Sequence, residues 1–297
     1  MQYITGIESY YSDKKTAVTL GKFDGLHRGH QKLIQKIKQY AGEDKESVVF
    51  AFDMHRMSLL TQKERKRCLE NQVDVLVLCS FTPEIRCMEA EDFIKEILFK
   101  RLRAANIVVG TDFHFGHQKR GDVHMLEKYA PVYDYHVDVV EKEKYGDREI
   151  SSTYVREALE AGNIELANIL LGYEYEINGI VEYGRQLGRT LGFPTINVSL
   201  PGNKIPPEFG VYSCTVTIDN QSRQGICNIG VKPTVAEDRK LMAEVHLFDF
   251  DDDVYDQQAN IMLHQFIRPE TKFDSIKELE KQINQDIMIV KNVLKKI

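Results

Sequence analysis

The chain has 297 residues, of which 42% are hydrophobic and 28% are charged, and its formal net charge is −6. This length and composition are typical of a globular protein with one large or two medium domains and a sizeable buried core. A protein whose main partner is a nucleic-acid backbone usually presents a strongly basic surface, so the acidic balance disfavours that class.

The cysteines and the apolar runs together predict a cytoplasmic protein. The 5 cysteines form no C-x-x-C pair and are odd in number, which favours reduced, mostly buried thiols over a disulfide framework. The start MQYITGIESYYSDKK has no basic segment followed by an apolar one, so we expect no signal peptide. No apolar run approaches the ~20 residues that a membrane-spanning helix needs, and we expect no membrane partner.

The first half of the chain alternates strand-like and helix-like segments. Short β-branched runs predict strands at TAVTL (16–20), SVVFAF (47–52), VDVLVL (73–78) and NIVVG (106–110). Helical spacing lies between them, and in EDFIKEILFKRL (91–102) one face carries Phe93, Ile94, Ile97 and Leu98. Apolar strands separated by helices indicate a doubly wound, Rossmann-like α/β domain with a parallel sheet and ligands at the carboxyl ends of its strands.

The pattern changes after the helical segment REALEAGNIELANILLG (156–172). The strand-like runs that follow are EYEINGIVEYG (174–184), GVYSCTVTID (210–219), SRQGICNIGV (222–231), KLMAEVHLFDF (240–250) and QANIMLHQFI (258–267). Turn residues between such runs predict an antiparallel barrel or sandwich. A terminal helix closes the chain, with a capping-box pattern at Ser275 and Glu278 and an apolar stripe from Ile276 to Leu294 that we expect to pack on the core.

The segment GKFDGLHRGH (21–30) lies where the first predicted strand passes into a helix. Gly21 and Gly25 let the backbone approach a ligand, and a helix N-terminus presents N–H groups to an anion. On the first helical turn His27 and His30 face one side, where imidazoles can donate hydrogen bonds to phosphate. A zinc site would need further ligands, which no spacing in the sequence ties to this pair. A simple helix start is the other alternative, and the strand–glycine–helix context favours phosphate.

A second segment, ISSTYVR (150–156), carries hydroxyl groups followed by a cation. Ser151, Ser152 and Thr153 could serve only as helix caps, or they could hold phosphates while Arg156 offsets negative charge. H-x-G-H after a first parallel strand resembles the nucleotidyltransferase superfamily, which pairs that motif with a downstream loop of this kind. The two segments together therefore favour adenylyl transfer.

The string GRQLGRTLGFPTINV (184–198) is glycine-rich and basic, which suits a triphosphate. Its glycines and arginines are Gly184, Gly188, Gly192, Arg185 and Arg189. Thr195 and Asn197 flank one residue, so on an extended chain both side chains point the same way. A hydroxyl and an amide oxygen are hard ligands that suit Mg2+.

These motifs resemble the bacterial bifunctional riboflavin kinase/FMN adenylyltransferase (FAD synthetase) family over nearly the whole chain. Further motifs that carry the resemblance are VVGTDFHFG (108–116), GVYSC (210–214), CNIGVKPT (227–234), EVHLFDF (244–250) and IRPETKFDSIKEL (267–279). The resemblance implies an adenylyltransferase domain at 1–173 and a β-barrel riboflavin kinase domain at 174–297. It also implies ATP, riboflavin and FMN as substrates, Mg2+ for both reactions, and a monomer or weak oligomer.

The resemblance assigns roles in the kinase domain to individual residues. It implies that Glu244 is the base that takes the proton of the ribityl 5′-hydroxyl, and that Thr195 and Asn197 coordinate Mg2+. It places Asn228 and Arg268 in motifs that line the flavin or nucleotide site.

In the adenylyltransferase domain the resemblance implies that His27 and His30 bind the ATP phosphates and stabilise the transferring group. The ATP-binding residues of this domain would be Gly21, Phe23, Asp24, Gly25, His27, His30, Asp112, Ser151, Ser152, Thr153 and Arg156. Asp24 could order the glycine turn. Phe113 and Phe115 could contact a flavin, although alternating aromatic residues more often belong to a core.

One loop departs from the family pattern. The family has FDPHP after the second strand, whereas this chain has FDMHR at 52–56, which keeps Asp53 and His55 but lacks both prolines. Proline stiffens a loop, so the change could weaken FAD synthesis. This leaves two alternatives to a bifunctional enzyme: a riboflavin kinase with an impaired adenylyltransferase domain, and a flavin-binding regulator without activity.

Overall fold

A computed structural model describes residues 1–8, 10–53, 57–184, 188, 191–233 and 239–296, except for the side chains at 232, 233 and 239. Its internal contacts divide the chain into two compact units, Met1–Ser152 and Thr153–Ile297. This division lies N-terminal to the boundary expected at 173/174, which stays a prediction.

The strands, in chain order, are β1 (Gln2–Thr5), β2 (Lys15–Gly21), β3 (Lys45–Asp53), β4 (Val75–Ser80), β5 (Ala104–Gly110), β6 (His136–Val140), β7 (Lys144–Tyr145), β8 (Arg148–Glu149), β9 (Glu176–Glu182), β10 (Ile196–Ser199), β11 (Gly210–Ile218), β12 (Gln221–Pro233), β13 (Arg239–Leu247) and β14 (Gln258–Pro269). The helices are α1 (Arg28–Tyr40), α2 (Gln62–Leu69), α3 (Pro83–Cys87), α4 (Ala90–Asp92), a π-helix (Phe93–Arg101), a 3-10 turn (His117–Lys119), α5 (Val123–Tyr133), α6 (Ser152–Glu160), α7 (Ile164–Leu171) and α8 (Ile276–Leu294).

The first unit is built on a 6-stranded sheet with the order β1-β4-β3-β2-β5-β6, in which every pair of neighbours is parallel. Consecutive residues from Val48 to Ala51 are fully buried, which requires cover on both faces of the sheet. The predicted doubly wound α/β domain is therefore confirmed. β3 and β5 lie on either side of β2, so the strand order reverses at β2, where such folds bind ligands.

The second unit is a closed antiparallel barrel with the order β10-β13-β12-β11-β14-β9. The predicted barrel and its terminal helix are thus confirmed. On α8, Val290 and Leu294 pack against Val211, Ile226 and Phe248 of the barrel. The helix therefore covers part of the outer face of the barrel.

Some local expectations differ from the structure. The face that carries Phe93 and Ile97 is buried as predicted, but the segment is π-helical, and residue spacing does not reveal that hydrogen-bond pattern. The helical segment 156–172 is two helices, because Gly162 turns the chain with φ +70° between them. Ile276 is 63% exposed and so lies outside the packed stripe.

The cap of α8 is also only partly the one predicted. Ser275 Oγ accepts a hydrogen bond from the Glu278 N–H (3.2 Å). The Glu278 carboxylate accepts from Asp274 N–H (3.3 Å) and not from Ser275 N–H, the donor that a capping box requires.

All of the cysteines are free; Cys79, Cys214 and Cys227 are buried, whereas Cys87 is exposed. None of the helices in the described part of the chain is both long and apolar enough to span a bilayer.

Candidate active sites

The glycine turn of the first unit (residues 21–27) joins the end of β2 to α1. Gly21 ends the strand, and His27 is the N-cap residue of α1. Between them three residues have left-handed φ values: Phe23 (47°), Gly25 (85°) and Leu26 (44°). Such values are uncommon outside glycine and tend to occur at functional sites. The turn matches the strand–glycine–helix junction expected of a phosphate site.

His27 and His30 form a stacked pair beside this turn. Their ring centroids are 3.7 Å apart, and the ring planes differ by 22°. Burial lowers the pKa of His27 to about 4, against a smaller opposing effect of Asp24, and lowers the pKa of His30 well below its ordinary value. Neither Nδ1 atom has a hydrogen-bond partner among the described residues. Both imidazoles are therefore neutral at neutral pH, and each keeps one N–H group to donate.

Asp24 joins the glycine turn to two other segments. Its Oδ1 accepts a hydrogen bond from Leu59 N–H (2.8 Å), just before α2 begins. Its backbone oxygen accepts a hydrogen bond from Ser152 Oγ (2.8 Å). α2 itself starts with a reciprocal capping box between Thr61 and Glu64. The structure thus places one of the predicted serines against the turn.

Arg65, which the motifs do not single out, also lies at this site. It is on α2, its side chain is only 5% exposed, and its Nε and Nη1 atoms have no hydrogen-bond partner in the described part of the chain. Burial lowers the pKa of Arg65, while the carboxylates of Asp24 and Asp53 oppose that effect. A buried cation near the glycine turn is therefore part of the first site.

Asp112 follows β5 and lies beside a lysine. Its Oδ2 is 2.9 Å from Lys142 Nζ, which is also 2.8 Å from a Glu149 carboxylate oxygen. Hydrogen bonds to Glu149 and Asp112 raise the pKa of Lys142. Phe115 is buried in the core and stacks on Phe113, with ring centroids 5.6 Å apart. This packing agrees with the core alternative for the two rings, and their contact with a flavin stays a prediction.

The remaining residues of the segment 150–156 are divided between the units. Ser151 precedes α6 in the first unit, whereas Thr153 and Arg156 lie on α6 in the second unit. Their contact with phosphate stays a prediction. His55, from the altered FDMHR loop, lies outside the described residues.

A row of register partners, here called the register row, runs across all strands of the barrel. In order of pairing it consists of Glu182, Asn197, Glu244, Asn228, Val211 and Arg268. Residues directly opposite each other on antiparallel strands point to the same face of a sheet. Val211 packs against α8, so the register row lies on the outer face. The pairing brings Asn197, Glu244, Asn228 and Arg268 to that face.

The glycine-rich segment lies against both predicted Mg2+ ligands. A Cβ atom built on Gly184 would overlap the side-chain amide of Asn197. One built on Gly188 would overlap the backbone oxygen of Phe193 and lie in ordinary contact, at 3.5 Å, with Thr195 Cγ2. Gly192 has φ +79°. The two arginines predicted to bind ATP here are Arg185 and Arg189, and both lie outside the described residues.

His246 holds the turn that carries Thr195. Its Nδ1 is 2.9 Å from the backbone oxygen of Pro194, and because a carbonyl only accepts, Nδ1 carries the proton. Thr195 lines a cavity together with Asp251, Asp253 and Tyr255. His246 lies two residues after Glu244 on β13 and thus on the same face. The sequence motifs do not single out this histidine.

Asn228 and Arg268 make contacts within the protein. Asn228 Nδ2 donates to Glu270 Oε1 at 3.1 Å. Arg268 Nε donates a hydrogen bond to Asp286 Oδ2 (2.9 Å), and Arg268 Nη2 lies 2.8 Å from the same oxygen. The Asp286 side chain is only 2% exposed. This ion pair joins β14 to α8, and a flavin contact for either residue stays a prediction.

Comparison with known proteins decides the family. A family model described as FAD synthetase matches residues 10–154, and one described as riboflavin kinase matches residues 171–294. A bifunctional riboflavin kinase/FMN adenylyltransferase from Pseudomonas fluorescens is 36% identical, over 97% of this chain and 96% of its own length. Those from Escherichia coli K12 (36%, covering 96% of each) and Listeria monocytogenes (33%, covering 93% and 91%) are also similar. The chain belongs to the bifunctional riboflavin kinase/FMN adenylyltransferase family.

The fold likeness extends over the whole chain. A crystal structure from Streptococcus pneumoniae, described as a macrolide-efflux protein, matches with a TM-score of 0.89 and 30% identity, over 98% of this chain and 99% of the other. In this member of the bifunctional riboflavin kinase/FMN adenylyltransferase family, the FAD synthetase range contains the stacked histidines and Arg65. The riboflavin kinase range contains the entire register row.

Proposed function

We propose that the chain catalyses two consecutive transfers: riboflavin and ATP give FMN and ADP in the barrel, and FMN and ATP give FAD and pyrophosphate in the α/β unit. The observation that carries this proposal is that each unit holds its own set of reactive groups. The α/β unit has the stacked, neutral pair of His27 and His30 at a glycine turn. The barrel has Glu244 directly opposite Asn197 in the register row.

In the barrel, the Glu244 carboxylate accepts the proton of the ribityl 5′-hydroxyl. The freed oxygen attacks the γ-phosphorus of ATP, the bond to the β–γ bridging oxygen breaks, and ADP leaves. His246 keeps the Pro194–Thr195 turn in place through its bond to the Pro194 oxygen. Glycine at 184 allows the backbone to pass close to Asn197, and glycine at 188 allows it to pass close to the Phe193 backbone oxygen; a side chain at either position would collide there.

Thr195 and Asn197 offer the donor set that Mg2+ prefers, since a hydroxyl and an amide oxygen lie next to the segment expected to hold the phosphates. Bound there, Mg2+ would offset the negative charge that develops on the phosphates. Both residues therefore fit the metal, and we propose them as its protein ligands.

In the α/β unit, an FMN phosphate oxygen attacks the α-phosphorus of ATP and pyrophosphate leaves. His27 and His30 donate hydrogen bonds to the phosphate oxygens, and because both rings are neutral they act as dipoles without a net charge. Asp24 holds the turn and α2 together, which fixes the position of these donors. Since ATP is the donor in both steps, we propose a cytoplasmic enzyme whose partners are small molecules, as a monomer or weak oligomer.

A riboflavin kinase with an impaired adenylyltransferase unit is the second candidate. The observation that favours it is the loss of both prolines in the segment 52–56, beside the intact motifs of the barrel. A flavin-binding regulator is a third candidate, but a protein that only binds flavin has no need of a carboxylate beside a metal site.

One experiment distinguishes these candidates. The purified chain is incubated with riboflavin, ATP and Mg2+, and the flavins are separated by chromatography over time. FMN followed by FAD supports the bifunctional enzyme, FMN alone supports the kinase, and unchanged riboflavin excludes both enzymes. Glu244→Ala should abolish FMN formation but spare FAD formation from added FMN, and His27→Ala should do the opposite.

A further inference from the structure

Arg65 is a buried cation, and the protein leaves part of its hydrogen-bonding capacity unused. Its side chain is 5% exposed, and its Nε and Nη1 atoms lack hydrogen-bond partners among the described residues. Burying an N–H group without an acceptor costs free energy, so the buried guanidinium nitrogens of folded proteins normally have hydrogen-bond partners. The two guanidinium nitrogens without partners indicate that a bound ligand supplies acceptors for them.

The position of Arg65 indicates where that anion binds. Its charge is one of the causes that lower the pKa of His30, and the carboxylates of Asp24 and Asp53 act on Arg65 in turn. Asp53 ends β3, and Asp24 belongs to the glycine turn after β2. Arg65 therefore lies near the carboxyl ends of β2 and β3, within electrostatic range of His30.

The stacked histidines by themselves give this site no cation for a phosphate. His27 and His30 are neutral at neutral pH, so they offer hydrogen bonds but no net positive charge. Arg28, the arginine inside the motif, is 2.6 Å from a Glu143 carboxylate oxygen, which offsets its charge. Phosphate oxygens are bound most strongly by charged donors, and arginine is the side chain best suited to them.

We propose that Arg65 is an oxyanion-binding residue that binds phosphate oxygens of a reactant together with His27 and His30. The ligand is a phosphate ester or anhydride, supplied by FMN or by ATP, so this inference rests on the proposed adenylyl transfer. Asp24 assists indirectly, because its bond to Leu59 N–H fixes the start of the helix that carries Arg65.

The test compares Arg65→Met with Lys63→Met, a matched change at an exposed position of the same helix. Thermal unfolding is recorded without ligand, with inorganic pyrophosphate and with FMN. We expect the Arg65→Met midpoint without ligand to equal or exceed that of the wild type, because the change removes a buried cation whose Nε and Nη1 atoms lack hydrogen-bond partners among the described residues. The upward shift caused by pyrophosphate or FMN should be lost in Arg65→Met and kept in Lys63→Met.

Kinetics provide the second measurement. In Arg65→Met, kcat/KM for FAD formation should fall by about 100-fold, as expected for the loss of a charge-assisted hydrogen bond, with FMN formation unchanged. The substrate whose KM rises more, FMN or ATP, identifies the phosphate that Arg65 binds. Arg65→Lys keeps the charge and should retain part of the ligand-induced shift.

Two results would overturn the proposal. One is a normal shift with pyrophosphate and FMN in Arg65→Met, and the other is a lower midpoint without ligand, which would assign the residue to the fold. If the wild type makes no FAD, adenylyl transfer fails as the function, but the comparison of thermal shifts still decides whether Arg65 binds phosphate.

Discussion

Asn197 and Glu244 lie directly opposite each other on β10 and β13, so a proposed Mg2+ ligand and the proposed base share one face of the barrel. The two residues are far apart in sequence, and only the pairing of β10 with β13 brings them together. The site therefore depends on strand register, because a slip of either strand by one residue would put the two side chains on opposite faces.

Glu244→Gln should abolish most riboflavin phosphorylation. The substitution keeps the size of the side chain and removes its ability to accept a proton, and a general base contributes about 100- to 10,000-fold in rate. FMN formation followed by chromatography measures the loss, and FAD formation from supplied FMN should be unchanged.

Glu182→Gln is the matched control, two strands away in the same row. Glu182 is already held by Lys240 Nζ at 2.7 Å and by Ser199 Oγ at 2.7 Å, so it is not available as a base. We expect near wild-type FMN formation in this variant. If Glu182→Gln were inactive and Glu244→Gln active, the base would have been assigned to the wrong carboxylate.

Gly184→Ala should impair the kinase through Asn197. The added methyl group would overlap the Asn197 amide and displace a proposed metal ligand. We expect a higher Mg2+ concentration for half-maximal FMN formation. Gly202→Ala, where the added methyl group meets nothing within 4 Å, serves as the control and should behave as wild type. An unchanged Mg2+ requirement in Gly184→Ala would remove Asn197 from the metal site.

His246→Phe should raise the KM for ATP in the kinase reaction. The change removes the hydrogen bond to the Pro194 oxygen, and a neutral hydrogen bond is worth about 1 kcal/mol, or roughly fivefold in binding. His246→Asn places an amide N–H near the position of Nδ1 and should recover most of the loss. If His246 served only packing, His246→Phe would have the lower KM for ATP and His246→Asn the higher.

Acid should destabilise the α/β unit through its buried histidines. In the folded chain the pKa of His27 is held at about 4, whereas an unfolded histidine has a pKa of about 6.5. Between these values the unfolded state binds more protons, so the free energy of unfolding falls as the pH is lowered, by about 1.4 kcal/mol per pH unit for such a group. Calorimetry between about pH 7 and about pH 5 should show a falling midpoint.

The variant His27→Phe tests this assignment. It should show a smaller change of midpoint with pH than the wild type, because one proton-binding group of the unfolded chain is gone. His124→Gln, at an exposed histidine, should leave the dependence almost unchanged. Equal pH dependence in all three proteins would contradict the role of buried neutral imidazoles.

Arg268→Met should destabilise the barrel unit by about 3–5 kcal/mol, because it leaves the buried Asp286 carboxylate unpaired. Arg268→Met combined with Asp286→Leu should recover most of that stability, as measured by chemical denaturation. The double variant also tests the predicted flavin contact: a raised KM for riboflavin in the stable double variant would support it, and an unchanged KM would contradict it.

The interior strands of the first sheet could be predicted from sequence, whereas its edges could not. β2 to β5 contain continuous, largely apolar runs rich in β-branched residues, as expected when both faces of a sheet are buried. β1 and β6 form the two edges of the sheet and contain polar residues such as Gln2, His136 and Asp138, so their apolar pattern is weak.

Motifs located most of the proposed site residues but missed Arg65 and His246. Arg65 lies in QKERKRCLENQ, a charged stretch that predicts a solvated helix, and its burial depends on strands distant in sequence. His246 acts through Pro194, and that contact exists only because β10 pairs with β13. Residues that act through tertiary neighbours leave no local pattern to find.

The register row also has a consequence for the order of folding. β10 pairs with β9 and β13, so the row is complete only when strands far apart in sequence have met, and such contacts form late because loop entropy must be lost first. The hairpin of β11 and β12 can form early without bringing Glu244 to Asn197. During refolding, riboflavin phosphorylation should therefore return only with closure of the barrel, whereas His27 and His30 meet within a single helical turn.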